Sequence, residues 1–164
     1  MFNKSLHVEL AGLKEWKSNS RIYGEAVERW LCQNFSCPRC KTGKLRQLEV
    51  NSPFIDLKCD ECGEGYQVKA SNSTLVTRDG KLKKLSGAAY SKSLEGLEER
   101  NKCNFLLVQY CREVAEIKEA FLLKKENISS KHLIKRKPLG PSARKAGLVL
   151  SRWEFGDINR EIIL

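Results

Sequence analysis

Two cysteine pairs, Cys37-Pro38-Arg39-Cys40 and Cys59-Asp60-Glu61-Cys62, decide the fold of this chain. Eighteen residues separate the first pair from the second. The second pair continues into Gly63-Glu64-Gly65-Tyr66-Gln67-Val68-Lys69. This is the spacing of a structural zinc site, because a two-residue gap lets a tight turn aim two thiolates at one ion. We therefore predict one structural zinc ion held by four ligands, with a redox or unrelated role as the alternative. The predicted ligands are Cys37, Cys40, Cys59 and Cys62.

A predicted β-hairpin surrounds the second cysteine pair. Asp56 lies on its first strand, and Gln67 and Lys69 are two residues apart on its second strand, so their side chains share one face. Carboxylate, amide and carbonyl oxygens suit a hard cation, so we predict that Asp56, Gln67 and the Val68 carbonyl hold Mg²⁺. Lys69 would then orient the attacking water or stabilise negative charge on a phosphodiester. The alternative is two solvated charges and a polar glutamine beside a zinc turn.

Three cysteines lie outside the two pairs. We expect Cys32, Cys103 and Cys111 to be small buried apolar residues, although Cys32 lies close enough to the first pair to compete as a ligand. The total of seven is odd and no secretory signal is visible, which argues against a disulfide framework. No apolar run approaches the roughly 20 residues of a membrane helix. We therefore expect a cytoplasmic protein with no membrane partner.

The charge balance favours a polyanionic partner. The 164 residues include 30 Lys and Arg against 20 Asp and Glu, a net charge of +10, which on charge alone suits binding to nucleic acid or to an anionic membrane surface. The apolar fraction of 41% and the charged fraction of 30% are those of a globular protein rather than a disordered chain. With two histidines and no G-x4-G-K-[ST] motif, the sequence excludes a histidine-rich nuclease site and gives no support for ATP-driven action.

The remaining patterns predict a mixed sheet with flanking helices. We predict helices over 22–33 and 87–100, strands over 44–50, 54–59, 66–70, 104–110, 116–124, 147–155 and 160–164, a mobile polar loop over 71–86 and a basic loop over 131–146. The fold class is therefore α/β (α+β) with a mixed central β-sheet, in a single domain that spans residues 1–164.

Several motifs occur together in one order along the chain. They are Glu28-x-Trp30, Cys37-Pro38-x-Cys40, Pro53-x-x-Asp56, Cys59-x-x-Cys62, Gln67-x-Lys69 and a basic run from Arg136 to Gly147. In these motifs the chain resembles the nuclease domain of the DpnI-like family, which comprises methyladenine-dependent restriction endonucleases of the PD-(D/E)xK superfamily. The resemblance spans nearly the whole chain and implies a PD-(D/E)xK core with a four-cysteine zinc knuckle inserted at 37–62.

The resemblance also implies an activity. It is that of a type II restriction endonuclease, which hydrolyses double-stranded DNA in line at a short, GATC-like, adenine-methylated site and leaves 5′-phosphate and 3′-hydroxyl ends. Asp56 would be the metal-binding aspartate, Gln67 would replace the second acidic ligand and Lys69 would be the catalytic lysine. Glu28 would be the helical glutamate that supports the site. Because an amide oxygen is a weaker ligand than a carboxylate, Mg²⁺ should bind less tightly or Mn²⁺ should be preferred.

The basic run is where the resemblance implies DNA contacts, to phosphates and to guanine edges. The expected contact residues are Arg136, Lys137, Ser142, Arg144, Lys145 and Leu148. Leu148 stands where the resemblance implies a tryptophan near the methylated bases, which weakens the inference of methyl dependence. We expect no C-terminal winged-helix domain, and both a monomer and a homodimer agree with the sequence.

A non-catalytic protein is the second hypothesis. In that case the zinc site and the basic run would form a DNA- or RNA-binding module, and Gln67 would mark a degenerate nuclease site. A divalent-ion site in addition to the zinc would distinguish the enzyme from the module.

Overall fold

The computed structural model describes residues 3–10, 20–49, 55–86, 103–136, 141–142 and 150–164. In chain order the helices and strands are α1 (His7–Leu10), α2 (Ser20–Asn34), β1 (Leu45–Gln47), β2 (Leu57–Cys59), β3 (Gly65–Ser71), β4 (Leu85–Ser86), β5 (Asn104–Cys111), β6 (Glu116–Leu123), β7 (Leu133–Arg136), β8 (Leu150–Trp153) and β9 (Glu161–Ile162). The chain divides into two units. One comprises Met1–Leu75, Cys103–Leu123 and Arg160–Leu164, and the other comprises Val76–Lys102 and Lys124–Asn159.

The first unit is built on a six-stranded mixed sheet in the order β1-β2-β3-β5-β6-β9. Its third strand, β3, pairs antiparallel with β2 on one side and parallel with β5 on the other. All other neighbouring strands of this sheet are antiparallel. The mixed sheet and its helices confirm the predicted α+β class, and β2 and β3 confirm the predicted hairpin around the second cysteine pair.

Helix α2 packs its apolar face against one face of this sheet and confirms the helix predicted over 22–33. Trp30 is fully buried, and its indole N–H donates to the Asn3 carbonyl at 2.6 Å, so burial leaves no unpaired donor. Tyr66 and Val68 of β3 belong to the same core cluster. Because side chains alternate along a strand, the residues at positions 67 and 69 lie on the opposite face of the sheet.

The second unit contains a three-stranded antiparallel sheet in the order β4-β8-β7. Two 3-10 turns, Lys125–Asn127 and Ser130–His132, precede β7. Trp153 and Phe155 are buried and stacked, with 5.4 Å between ring centroids. The buried His132 accepts the Ser129 N–H at Nδ1 over 3.0 Å, so this histidine has a structural hydrogen bond within its own turn.

Two of the predicted loops are partly wrong, because local backbone pairing orders them. The polar stretch 71–86 forms a turn closed by the Val76–Leu82 bridge and ends in β4. Gly80, with φ of 82°, supplies the left-handed residue of this turn. The predicted basic loop over 131–146 likewise begins with β7, which pairs with β8. The helix predicted over 87–100 lies outside the described residues.

Candidate active site

The four predicted zinc ligands lie together. Their sulfur atoms are all within 4.8 Å of one another. The sulfurs of Cys37 and Cys62 are 3.7 Å apart, and so are those of Cys40 and Cys59. Four sulfurs about 2.3 Å from a tetrahedral zinc ion lie about 3.8 Å from one another. The cluster therefore fits the predicted structural zinc ion. Of the other cysteines, Cys103 is buried as expected, whereas the remaining two are half-buried.

The two cysteine turns have similar backbone conformations at equivalent positions. After each C-x-x-C comes a residue with a left-handed backbone, Lys41 (φ 68°) in the first turn and Gly63 (φ 72°) in the second. A glycine follows two positions later, Gly43 in the first turn and Gly65 in the second. The first turn thus places a lysine in a conformation that favours glycine, and the second has glycine there.

Close approach of the backbone to the sulfurs explains Gly43. Its backbone nitrogen lies 3.3 Å from the Cys40 sulfur, and a Cβ at this position would collide with the sulfur of Cys59 and crowd that of Cys40. The N–H groups of Gly43 and Thr42 lower the pKa of Cys40 to about 6. Since the thiolate is the form that binds metal, the turn prepares this cysteine as a ligand.

Replacing Lys41 with glycine should stabilise the zinc-loaded protein. A lysine with a left-handed backbone costs about 1–2 kcal/mol. Glycine avoids that cost but loses more entropy on folding, so we expect a net gain of about 0.5 kcal/mol. Urea unfolding measures the change. Lys44→Gly is the matched control and should lower stability, because Lys44 is not among the described residues with positive φ. A lower midpoint for Lys41→Gly would contradict the proposed strain.

Tyr66 and Glu64 connect the zinc turns to the sheet. The buried Tyr66 hydroxyl lies 3.1 Å from the Cys37 sulfur, and burial raises the pKa of this hydroxyl, so it remains a donor. The buried Glu64 pairs with Arg39 of the first turn and accepts the Asn104 amide N–H at 3.0 Å, at the start of β5. The network therefore fixes β3 relative to the metal cluster.

Asp56 lies immediately before β2 and is held through both its backbone and its side chain. Its N–H donates to the Tyr66 carbonyl, and its carbonyl accepts the Leu48 N–H, each at 2.9 Å. Its carboxylate Oδ2 accepts the Val68 N–H at 2.7 Å. The carboxylate is thus fixed against the part of β3 that lies between Gln67 and Lys69.

Lys69 and Asp56 interact electrostatically. Burial lowers the pKa of Lys69, and the Asp56 charge opposes that shift. Burial raises the pKa of Asp56, while the Val68 N–H and Lys69 oppose the rise. Each group therefore favours the charged form of the other against the effect of burial.

Gln67 presents an unusual buried acceptor. The residue is 9% exposed, and its Oε1 has no hydrogen-bond partner among the described residues. A buried acceptor left unpaired costs about 1–3 kcal/mol. An amide oxygen in this state is available as a ligand for a hard cation or as an acceptor for water.

Glu28 on α2 lines the same cavity as Asp56. The cavity has a volume of about 430 Å³, and Gly24, Arg29 and Gln47 contribute to its walls. The Gln47 side-chain N–H donates to Glu28 Oε2 at 2.7 Å. Burial raises the pKa of Glu28, the Gln47 hydrogen bond opposes this, and the Asp56 charge adds to the rise.

The cavity therefore combines three half-buried carboxylates, those of Glu25, Glu28 and Asp56, with the exposed Glu49 and with two arginines. Within the described ranges neither Glu28 nor Asp56 has an ion pair. The positive charges of Arg29 and Lys69 reduce the repulsion between Glu28 and Asp56, and a bound cation would reduce it further. Gln67 and Lys69 do not line this cavity, although β3 carries them beside Asp56. The structure thus brings Asp56 together with Glu28 on one side and with Lys69 on the other.

The structure describes two of the residues predicted to contact DNA. Arg136 is the last residue of β7, and Ser142 is exposed. Lys137, Arg144, Lys145 and Leu148 lie outside the described residues. DNA contact by this segment therefore stays a prediction.

Sequence reasoning did not identify Gly43, Tyr66 or Gln47. Gly43 had a visible signal, because both cysteine pairs are followed by glycine at the same distance. Tyr66 and Gln47 had none, because their partners lie on other elements, at Cys37 and Glu28.

Every helix within the described ranges is too short or too polar to span a membrane. A family model described as DpnI, the Dam-replacing family, matches residues 4–160. The match includes both cysteine pairs and all the residues that line the Asp56 cavity. A family of restriction type points to a nuclease, with DNA as its partner. The resemblance seen in the sequence is confirmed, and this chain belongs to the DpnI, or Dam-replacing, family.

Proposed function

We propose that this protein is a divalent-metal-dependent endodeoxyribonuclease of the PD-(D/E)xK superfamily. It cleaves double-stranded DNA at a short, GATC-like, adenine-methylated site. The observation that supports this most is the 2.7 Å hydrogen bond from the Val68 N–H to the Asp56 carboxylate. This bond holds an acidic ligand against the strand that carries Gln67 and Lys69, which is the arrangement of the superfamily motif with glutamine in place of its second acidic residue.

The oxygen atoms around Asp56 fit a hard divalent cation. We assign the Asp56 carboxylate, Gln67 Oε1 and the Val68 carbonyl as its ligands. The buried Gln67 oxygen, which has no hydrogen-bond partner in the described part of the chain, supports this assignment. Oxygen ligands of this kind suit Mg²⁺ or Mn²⁺. When bound, such an ion neutralises charge on the scissile phosphate and lowers the pKa of water.

The charged side chains around Asp56 have separate roles in this proposal. The Lys69 ammonium group orients the attacking water in line with the scissile P–O bond and stabilises the negative charge that develops on the phosphate. Glu28 adds negative charge at the cavity and supports the site from α2. Breaking the bond to the 3′ oxygen leaves a 5′-phosphate and a 3′-hydroxyl.

Recognition of DNA is assigned to the basic segment and to the overall charge. The assigned residues are Arg136, Lys137, Ser142, Arg144, Lys145 and Leu148, in a chain with a net charge of +10. The basic side chains bind phosphates or read a guanine edge, and Leu148 contacts a methyl group. Residues 1–164 act as one nuclease domain in the cytoplasm, where thiols stay reduced and DNA is present. A monomer would nick each strand in turn, and a homodimer would cut both strands together.

Defined duplexes test the proposal. We would digest GATC duplexes with N6-methyladenine on both strands, on one strand or on neither, and a duplex with a scrambled site as the control. With Mg²⁺ or Mn²⁺ the methylated duplex should be cut and the scrambled one left intact, and sequencing should give 5′-phosphate ends. Brief EDTA treatment that spares the zinc should stop cleavage. Equal cutting of methylated and unmethylated duplexes would refute the methyl preference but not the nuclease activity.

The same experiment tests the second hypothesis. If each duplex is bound but none is cut with either ion, the protein is a non-catalytic zinc-containing nucleic-acid-binding module. The neutral amide of Gln67, in place of an acidic ligand, is the observation that favours this outcome.

A further inference from the structure

We infer that Gln47 is a positioning residue that fixes the Glu28 carboxylate at the divalent-metal site, an inference that rests on the proposed nuclease function. Gln47 ends β1, and its Nε2 donates to Glu28 Oε2 at 2.7 Å. The backbone of Gln47 also lies near the thiol of Cys32, four residues beyond Glu28 on α2. Gln47 thus contacts two successive turns of α2 and fixes the end of β1 against the helix at the cavity wall.

The chemistry of this donor suits a site that must keep its negative charge. Glu28 and Asp56 line one cavity, and in the described part of the chain the positive charges of Arg29 and Lys69 act on them without forming a direct ion pair. A lysine or arginine bound to Glu28 would cancel the charge that a cation needs. The Gln47 amide orients the carboxylate through Oε2 and leaves its charge intact, so Oε1 stays available to a cation or to a water bound to one.

Glu28 needs such a contact to keep its position. Its side chain is flexible, and the nearby charge of Asp56 favours rotamers that turn away from the cavity. The hydrogen bond from Gln47 restricts the carboxylate to one rotamer against this repulsion. Groups that orient the ligands of a metal site typically change metal affinity or activity by about 10–100-fold when they are replaced.

Two substitutions of Gln47 test the inference. Gln47→Leu removes the donor, and Gln47→Lys replaces it with a cation. In both variants we expect kcat on the cleaved duplex and the affinity for Mn²⁺, measured by calorimetry on zinc-loaded protein, to fall at least about tenfold. KM for DNA, the zinc content and the unfolding midpoint should stay close to those of the wild type. Arg46→Lys is the matched control, because it changes the neighbouring residue of β1 and keeps its charge.

The double variant Gln47→Leu/Glu28→Gln separates positioning from a general structural role. If Gln47 acts through Glu28, the double variant should be no worse than Glu28→Gln alone. Fully additive losses would overturn the inference. So would wild-type kcat and Mn²⁺ affinity in Gln47→Leu, provided that Asp56→Asn is inactive. Wild-type cleavage by Asp56→Asn would instead overturn the proposed function, and the inference with it.

Discussion

Replacing Asp56 with asparagine should abolish DNA cleavage and at the same time stabilise the protein in the absence of Mg²⁺ or Mn²⁺. Asparagine keeps an acceptor oxygen for the Val68 N–H, so the contact made at 2.7 Å can survive. It removes the charge on which cation binding depends. We expect kcat to fall at least about a thousandfold, because even the loss of a single neutral donor to a transition state costs about 10²–10³. Single-turnover cleavage of the methylated duplex in Mg²⁺ measures the loss.

The gain in stability follows from the pKa of Asp56. Burial raises this pKa in the folded protein, and the Val68 N–H and Lys69 oppose the rise only in part. Folding therefore disfavours the ionised form of Asp56. The raised pKa stabilises the folded protein below the pKa of the unfolded state, and this stability is lost as the pH rises through the pKa of the folded state. Asparagine has no charge to bury. In urea unfolding, its advantage over the wild type should be larger at about pH 7 than at about pH 4, which is close to the pKa of an unfolded aspartate.

A second aspartate of the same hairpin gives the control. Asp60 is exposed, and its carboxylate accepts the Lys44 N–H at 2.8 Å, a bond that an asparagine can also accept. Asp60→Asn should cleave DNA at the wild-type rate. Near-normal cleavage by Asp56→Asn would refute the proposed metal site. A loss of stability in Asp56→Asn would show that the Asp56 carboxylate is a structural group.

Replacing Gly43 with alanine should remove the zinc ion and with it the fold of the cysteine turns. The added Cβ would collide with the sulfur of Cys59 and would crowd the sulfur of Cys40 at 3.1 Å. Because the Cys59 sulfur belongs to the cluster, it cannot move away without distorting the metal site. Structural zinc contributes about 10–16 kcal/mol in small zinc domains, far more than any single contact in this hairpin. We expect the variant to purify with much less than one zinc ion per chain and with a strongly lowered thermal midpoint.

The helix contains a glycine that makes a matched control for Gly43. A Cβ at Gly24 of α2 would meet nothing within 4 Å. Gly24→Ala should retain its zinc and gain about 0.5–1 kcal/mol, because alanine is the better helix former. Metal analysis and thermal unfolding of both variants measure the zinc content and the midpoint on which this prediction depends. Full zinc occupancy and an unchanged midpoint in Gly43→Ala would contradict the proposed close approach.

The parts of the fold that could be predicted are those specified by short-range patterns. The cysteine spacing predicts a metal cluster independently of the rest of the sequence, and the four sulfurs do lie together. The alternation around residues 66–70 predicts β3, and the apolar spacing over 22–33 predicts α2. Asp56 could be placed beside β3 because a short hairpin leaves few possible registers.

What could not be predicted depends on partners that are distant in sequence. No local pattern shows that Gln47 will meet Glu28, since the contact requires β1 to pack beside α2. The polar composition of the segment 71–86 predicts a mobile loop, yet a turn and a bridge between Val76 and Leu82 order it. Hydrogen bonds of the backbone do not depend on apolar side chains, so composition alone gives a poor prediction there.

The two partners of β3 also suggest an order of folding. Tyr66 is 9 residues from its partner Leu57 in β2 (66 − 57) but 38 residues from its partner Asn104 in β5 (104 − 66). The shorter loop loses less chain entropy on closing, and thiolate binding to zinc adds a local cross-link. Long-range parallel pairing is intrinsically slow. During synthesis we therefore expect the chain to acquire its metal before it completes its sheet, so that docking of β5 limits the folding rate and assembly of the hairpin beside Asp56 does not.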